Sequence, residues 1–398
     1  MTIKLPAGIS SFAQLRAHNM LYVDKTACLA ALCQNEHLMF LCRPHSYGLS
    51  TALSTLEELW RHGVQSTGQR PSYFDGLKVS LQWTEEPRLV LRFDFKELAR
   101  QSGGQIEAFT RSLSKVIAAS TGRPELAALY PSAALDKFLG ETDDGSVVVL
   151  IDDAESVFEK LQPLTLLPAL LTDFYDTLRR HSRKLRFAAV FAHFCIKELG
   201  LFNELCEGEA FADLSADPRY LQLCGFSDFE IYHSLAAPLA AEYALPWVHG
   251  SGSFGDDTLY HDLKQLDDEF GALSFSRAQY LPQRQCKVII TLLAEQSVDP
   301  RQYWLQQGRS IFVEGALRRL RGRLNELDDY IEVESTLSAR VLPVRRLPPV
   351  LILAQAGFVS TADSIYSPFV HFGYSCPRAR AALQKLYKLA LRRHAAND

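Results

Sequence analysis

Residues Arg43 to Ser50 read R-P-H-S-Y-G-L-S, directly after the apolar run Leu38–Cys42 and ahead of a helical stretch from Ala52 to Trp60. A glycine turn between strand and helix aims backbone N–H groups at phosphate, and a lysine after the glycine neutralises the β/γ-phosphates. Here Gly48 supplies the turn and Ser50 the hydroxyl suited to Mg²⁺, but Leu49 stands where the lysine belongs. Losing that cation removes a charge-assisted contact of roughly 1.5–3 kcal/mol. It also withdraws support from the transition state, where charge on the transferring group must be held.

The second chemical feature is Val147–Ile151 running into Asp152 and Asp153. An apolar strand ending in acidic residues can place a first carboxylate, Asp152, on Mg²⁺ together with Ser50, and a second group on the attacking water. That second position is Asp153, one methylene shorter than the glutamate the role requires. A misplacement of about 1 Å costs on the order of 100-fold in rate. Glu155 lies two residues further on, out of place for the same role. Any buried strand ending in a polar turn has this pattern, but the loop frame upstream favours the paired reading.

The elements that must position these residues are legible as continuous apolar runs at Leu38–Cys42, Leu89–Phe95, Val147–Ile151, Phe187–Phe191 and, more weakly, Tyr220–Leu223. Runs of this length separated by helical patterns suit buried parallel strands. Helices are expected over Gln105–Ala119, Pro124–Leu139 and Pro163–Ser182, each with three- and four-residue apolar spacing. Beyond Gly225 the pattern turns mainly helical. Ser227 and Glu230 form a capping-box start, and helices are expected over Asp228–Tyr243, Leu259–Phe270, Pro300–Gln307, Phe312–Arg321 and Arg378–His394. Strand-like stretches lie at Ile331–Val333 and Gly357–Ser360, within a small β element near Phe358–Phe372. The expected architecture is a three-layer α/β P-loop sheet over 36–226, preceded by a lead-in over 1–35 and followed by a mainly helical domain over 227–398.

Composition sets outer bounds. The chain has 398 residues, a net charge of −4 and 47% hydrophobic residues, so nothing global pulls it toward nucleic acid or anionic membrane. The N-terminus lacks a basic region followed by an apolar core, and no apolar run reaches membrane-spanning length; a cytoplasmic bacterial protein is expected. Eight scattered cysteines read as reduced thiols. Cys28, Cys33, Cys42 and His45 can be assembled into a zinc set on paper, but no C-x-x-C pair supports it.

The segments Leu5–Phe12, Tyr22-Val23-Asp24-Lys25-Thr26 and Arg43–Ser50 resemble the opening of the bacterial AAA-ATPase-like family, whose members typically read L-P-x-G-I-x-x-F, Y-V-D-K-T and R-P-R-R-F-G-K-[ST]. The likeness continues through Ile151-Asp152-Asp153, Phe202–Leu205, Tyr220–Ser227, Trp247–Tyr260 and Gly357–Ser360. It implies a P-loop ATPase fold with Mg-ATP bound by Arg43, Pro44, Tyr47, Gly48, Leu49 and Ser50, and catalysis at Asp152 and Asp153. The departures matter more. Leu49 replaces the lysine, His45-Ser46 the paired arginines and Asp153 the glutamate, while Phe191-Ala192 replaces a polar strand end able to sense the γ-phosphate. The family's W-Y-D-G-Y-x-F-G segment is reduced at Trp247–Gly255.

The resemblance therefore implies a pseudo-ATPase acting as scaffold or interaction protein, with no resident cofactor beyond Mg-ATP. The alternative is an ATPase whose cation is a lysine or arginine supplied from elsewhere, with Lys25 and Arg43 as candidates. Family members that carry a nuclease-like domain need an E-x-K triplet, which residues 270–398 lack, so no nuclease is expected there. Gly250-x-Gly252-x-x-Gly255 follows Pro246-Trp247 rather than a strand, which argues against a dinucleotide site. Arg318, Arg319, Arg321 and Arg323 offer a basic patch, a solvated helix face by default and a nucleic-acid contact as a third reading.

Overall fold

A computed structural model describes residues 4–66, 71–202, 209–236, 257–276, 281–295, 298–320, 323–335, 342–361 and 368–395. Leu38–Cys42 (β1), Leu89–Asp94 (β2), Val147–Asp152 (β3), Leu185–Ala192 (β4) and the two-residue Ala212-Asp213 (β5) form one sheet in the order β2-β3-β4-β1-β5. Every pairing in it is parallel, with Phe40 opposite Val190 and Ile151 opposite the same Val190.

Period-two alternation divides the core between the two faces. Leu38, Phe40, Phe93, Val149, Ile151 and Val190 enter one cluster, while Met39, Leu41, Val90, Val148, Leu150 and Phe191 enter the other. Both faces are covered, so the strands read as unbroken apolar runs. The first cluster continues into residues of the C-terminal half, including Trp304, Phe312, Leu317, Leu353, Phe358 and Leu383. The phosphate-loop helix (Leu49–His62) packs on the opposite face with Leu53, Leu56 and Trp60 fully buried. In the C-terminal half, Ile331–Glu334 (β6), Val359–Thr361 (β7) and Phe369–Tyr374 (β8) make an antiparallel sheet, order β6-β8-β7, among helices.

The structure corrects several sequence expectations. Tyr220–Leu223 is not a strand but part of a 3₁₀ helix over Pro218–Leu223, because Pro218 starts the turn and the Asp217 carboxylate caps the Arg219 N–H at 2.9 Å. Pro124–Leu139 is two elements: Tyr130 is extended ahead of Pro131, which opens a separate helix. Helix Cys286–Glu295 went unread. Asp228–Tyr243 is described only to Ala236, and Trp247–Gly255 lies outside the described residues.

Strand order explains where a ligand belongs. The chain leaves β1 for the far edge at β2, works back to β4, then crosses β1 to reach β5. Crevices form beyond the carboxyl ends of parallel strands where connections diverge in this way, here at β1 and β4. The segment after β5 closes that crevice: Gly225 donates its N–H to the Tyr47 carbonyl at 2.8 Å, and Phe226 and Arg284 exchange backbone hydrogen bonds at 2.9 Å. Gly225 has φ +87°, and a Cβ there would lie 2.7 Å from Gln283 Cβ and 3.0 Å from Tyr47 Cδ1. Gly225→Ala is therefore expected to destabilise the fold by about 2 kcal/mol or more, read as a lowered denaturation midpoint; an unchanged midpoint removes this contact as a determinant of loop position.

Candidate functional site at the carboxyl ends of β1, β3 and β4

The phosphate loop is held from outside by its carbonyls. Ser46 O accepts the Lys287 N–H at 3.1 Å, and Tyr47 O accepts from Gly225 and, at 3.4 Å, from the Cys286 thiol. Ser46 (φ +76°) and Gly48 (φ +89°) both adopt left-handed backbone, the conformation that swings the turn into the helix start. No side chain caps the phosphate-loop helix, so its first N–H groups are left for a ligand or water.

The loop lines a cavity of about 640 Å³, within the range of about 300–1,000 Å³ usual for small-molecule sites. Its apolar wall includes Ile9, Val23, Phe226 and Ile290; its polar wall includes His45, Ser50, Lys96, Asp153, His193 and Lys287. Tyr47, Gly48, Leu49 and Ser50 line it, as does Lys25, whereas Arg43, Pro44 and Asp152 do not. Leu49 is buried in the apolar cluster beneath the loop.

Arg43 is turned away from the cavity. Its guanidinium donates to the carbonyls of Cys42 (2.8 Å), Ser215 (2.6 Å) and Tyr220 (3.4 Å) and lies 4.3 Å from the centre of the Phe275 ring. It is therefore not free to replace the missing lysine. Lys25 reaches the cavity wall, but its ammonium is paired with Glu230 at 2.6 Å. Its neighbours form a clasp in which Asp24 accepts from the Thr26 N–H and hydroxyl and from the Lys78 N–H. Ser227 and Glu230 form the expected capping box.

The two aspartates after β3 part company. Asp152 is buried and accepts from Arg92 at 2.8 Å. Asp153 adopts φ +51°, which carries its carboxylate to His193 Nε2 (3.1 Å) and Lys96 (3.7 Å). Burial raises the Asp153 pKa, but the His193 hydrogen bond and charge outweigh it and bring it to about 2. For His193 burial lowers the pKa, yet the Asp153 hydrogen bond and the Glu155 charge lift it to about 9. Burial raises Glu155 to about 7 against the opposing charge of His193. His45 is held well below 6.5 by burial and by His193.

Residues 6–193 match the family model of the predicted AAA-ATPases. A curated relative, an uncharacterized protein from the vnfD 5′ region of Azotobacter chroococcum mcd 1, is 24% identical over 371 residues; the match covers 90% of this chain and 64% of that protein. The chain thus spans less than two thirds of that relative's length. Among solved structures, the Walker-type ATPase PABY2304 of Pyrococcus abyssi aligns over 96% of this chain and 99% of its own, with 11% identity and a TM-score of 0.45. The Aeropyrum pernix ORC1 protein, solved in complex with DNA, aligns over 91% of each chain with 11% identity and a TM-score of 0.33. The parallel sheet, loop and helix make this a P-loop ATPase-like α/β fold with a helical C-terminal region and a small antiparallel sheet.

Sequence reasoning missed His193 and gave Glu155 no role. Both are buried and meet His45 across the carboxyl ends of three strands; a polar residue directly after the β4 run was the available signal. The paper zinc set is not assembled: Cys33 and Cys42 pack in clusters on opposite faces of the sheet.

The Asp152 carboxylate is already engaged, with Oδ2 accepting from Arg92 at 2.8 Å and Oδ1 from the Asp153 N–H at 3.2 Å. Arg92→Leu leaves a buried carboxylate without that partner and is expected to lower stability by about 3 kcal/mol, with much of the loss recovered in Arg92→Leu/Asp152→Leu. Chemical denaturation of the three proteins checks this; equal stability of Arg92→Leu and the parent contradicts it.

Proposed function

We propose that the chain is a degenerate ATPase-like protein in which ATP hydrolysis is lost or weak and the phosphate-loop frame serves as a scaffold for a protein partner. The observation carrying this reading is Leu49, 4% exposed and packed into the core where a lysine would reach phosphate. The pairing of Asp152 with Arg92 and of Asp153 with His193 supports it. So does the absence of an E-x-K triplet from residues 270–398, which favours a chain without nuclease chemistry in that stretch. The change from sheet to helices near residue 226 supports the division into a P-loop domain and a C-terminal domain.

A second reading, an ATPase with a displaced cation, draws on Lys25, Lys96 and Lys287 lining the cavity. Lys25 and Lys96 already answer Glu230 and Asp153, which leaves exposed Lys287 as its best donor. The nucleic-acid reading is weakened by internal partners. Arg318 pairs with Glu314, Arg319 donates to the carbonyls of Arg345 and Leu347, and Arg323 pairs with Glu326; Arg321 lies outside the described residues. Among the described residues no helix is long and apolar enough to cross a membrane.

Calorimetric titration with Mg-ATP and steady-state phosphate release test the proposal on the parent and Leu49→Lys. The variant is expected to bind at least about tenfold more tightly, since one charge-assisted contact is worth roughly 1.5–3 kcal/mol. Phosphate release is expected to remain at background in both. Micromolar binding with turnover in the parent overturns the proposal.

A further inference from the structure

His45 and His193 face each other at the end of β4 with ring centroids 3.6 Å apart and planes inclined by 42°. One donor atom from each ring and one carboxylate oxygen of Glu155 all lie within 4.8 Å of one another. We propose that His45, His193 and Glu155 form a site for a divalent transition-metal ion of the zinc class, distinct from any Mg²⁺ that accompanies a nucleotide. Two imidazoles and a carboxylate suit such an ion, at bond lengths of about 2.0–2.2 Å. Donors on a tetrahedral ion stand closer together than the present outer limit, so binding draws the side chains inward through small rotations.

The surroundings support each donor. His193 Nδ1 donates to the Arg43 carbonyl at 2.8 Å, the outer contact that orients a ligating imidazole and leaves Nε2 facing the ion. Glu155 accepts the His193 backbone N–H through Oε2 at 3.0 Å, which leaves Oε1 as donor. Neither ring nitrogen of His45 has a hydrogen-bond partner among the described residues. The ion takes the place of the Nε2 proton of His193, which leaves to solvent. Asp153 Oδ1, now 3.1 Å from that nitrogen, stands beside the ion as counter-charge.

Position gives the site a consequence. His45 and His193 line the cavity and Glu155 does not. The ion is held from behind by the carboxylate and presents its open position to the cavity, where water or an anionic oxygen completes the shell. A dication here restores positive charge to a cavity from which Leu49 has removed it.

The test uses the full chain after chelator treatment, titrated with Zn²⁺ alone, with visible absorption of the Co²⁺ form as a second readout. One equivalent is expected to bind at micromolar affinity or tighter, with the absorption of tetrahedral Co²⁺. His45→Ala is expected to weaken binding by on the order of tenfold or more while the apo protein still melts cooperatively, because the ring contributes packing against His193 but no hydrogen bond. His193→Ala, which also removes the Arg43 contact, serves only as a supporting variant. Cys28→Ser/Cys286→Ser, which alters the two partly exposed thiols among the described residues, is expected to leave binding intact. Substoichiometric binding, binding indifferent to His45→Ala, or binding abolished by the cysteine variant overturns the site. No nucleotide enters the titration, so its outcome is independent of the ATPase question.

Discussion

The buried guanidinium of Arg43 is the contact on which the site depends. It ties the end of β1 to the Ser215 and Tyr220 carbonyls, beyond β5, while its own carbonyl receives His193 Nδ1 and its N–H meets the Ala192 carbonyl at 3.2 Å. Burying a cation is tolerable only when hydrogen bonds replace its water, and here backbone carbonyls supply most of them, although Nε has no partner. One residue thereby fixes the segment after β5 through its side chain, and the start of the phosphate loop and the ring that faces Asp153 through its backbone. An arginine placed this way holds the crevice open in shape and contributes no charge to its interior.

The residues that keep the frame are thus different from those that would act on a phosphate. Arg43, Gly48, Gly225 and the Asp24–Thr26 clasp define backbone paths, and each is in a conformation or contact its residue type suits. The positions that the family resemblance assigns to phosphate chemistry are apolar or already partnered: Leu49 lies in the core, Asp152 is with Arg92, and Asp153 is with His193 and Lys96. A metal or water that recruits either aspartate must compete with a partner already present in a poorly hydrated setting, where charge pairs are harder to break than in water.

The four long strands were legible because both faces of the sheet are buried, so β1 was read to the residue and β2, β3 and β4 to within two or fewer at each end. β5 was not, since two exposed residues carry no apolar run; the reading slid onto Tyr220–Leu223, apolar for another reason. Leu49 was legible as a departure from a local pattern. The role of Arg43 was not, because an arginine in a phosphate loop reads as a phosphate ligand until its direction is known. The meeting of His45, Glu155 and His193 depends on strand order: β4 lies between β1 and β3, and no local spacing encodes that adjacency.

The central proposal is that the phosphate-loop frame persists without supporting efficient hydrolysis. Single-turnover cleavage of γ-labelled Mg-ATP, with protein in excess, addresses this most directly because it detects even one chemical event per site. The account predicts label release no faster than in buffer alone. Release at about 1 s⁻¹ or faster, typical of working enzymes, that disappears in Asp152→Asn would contradict it.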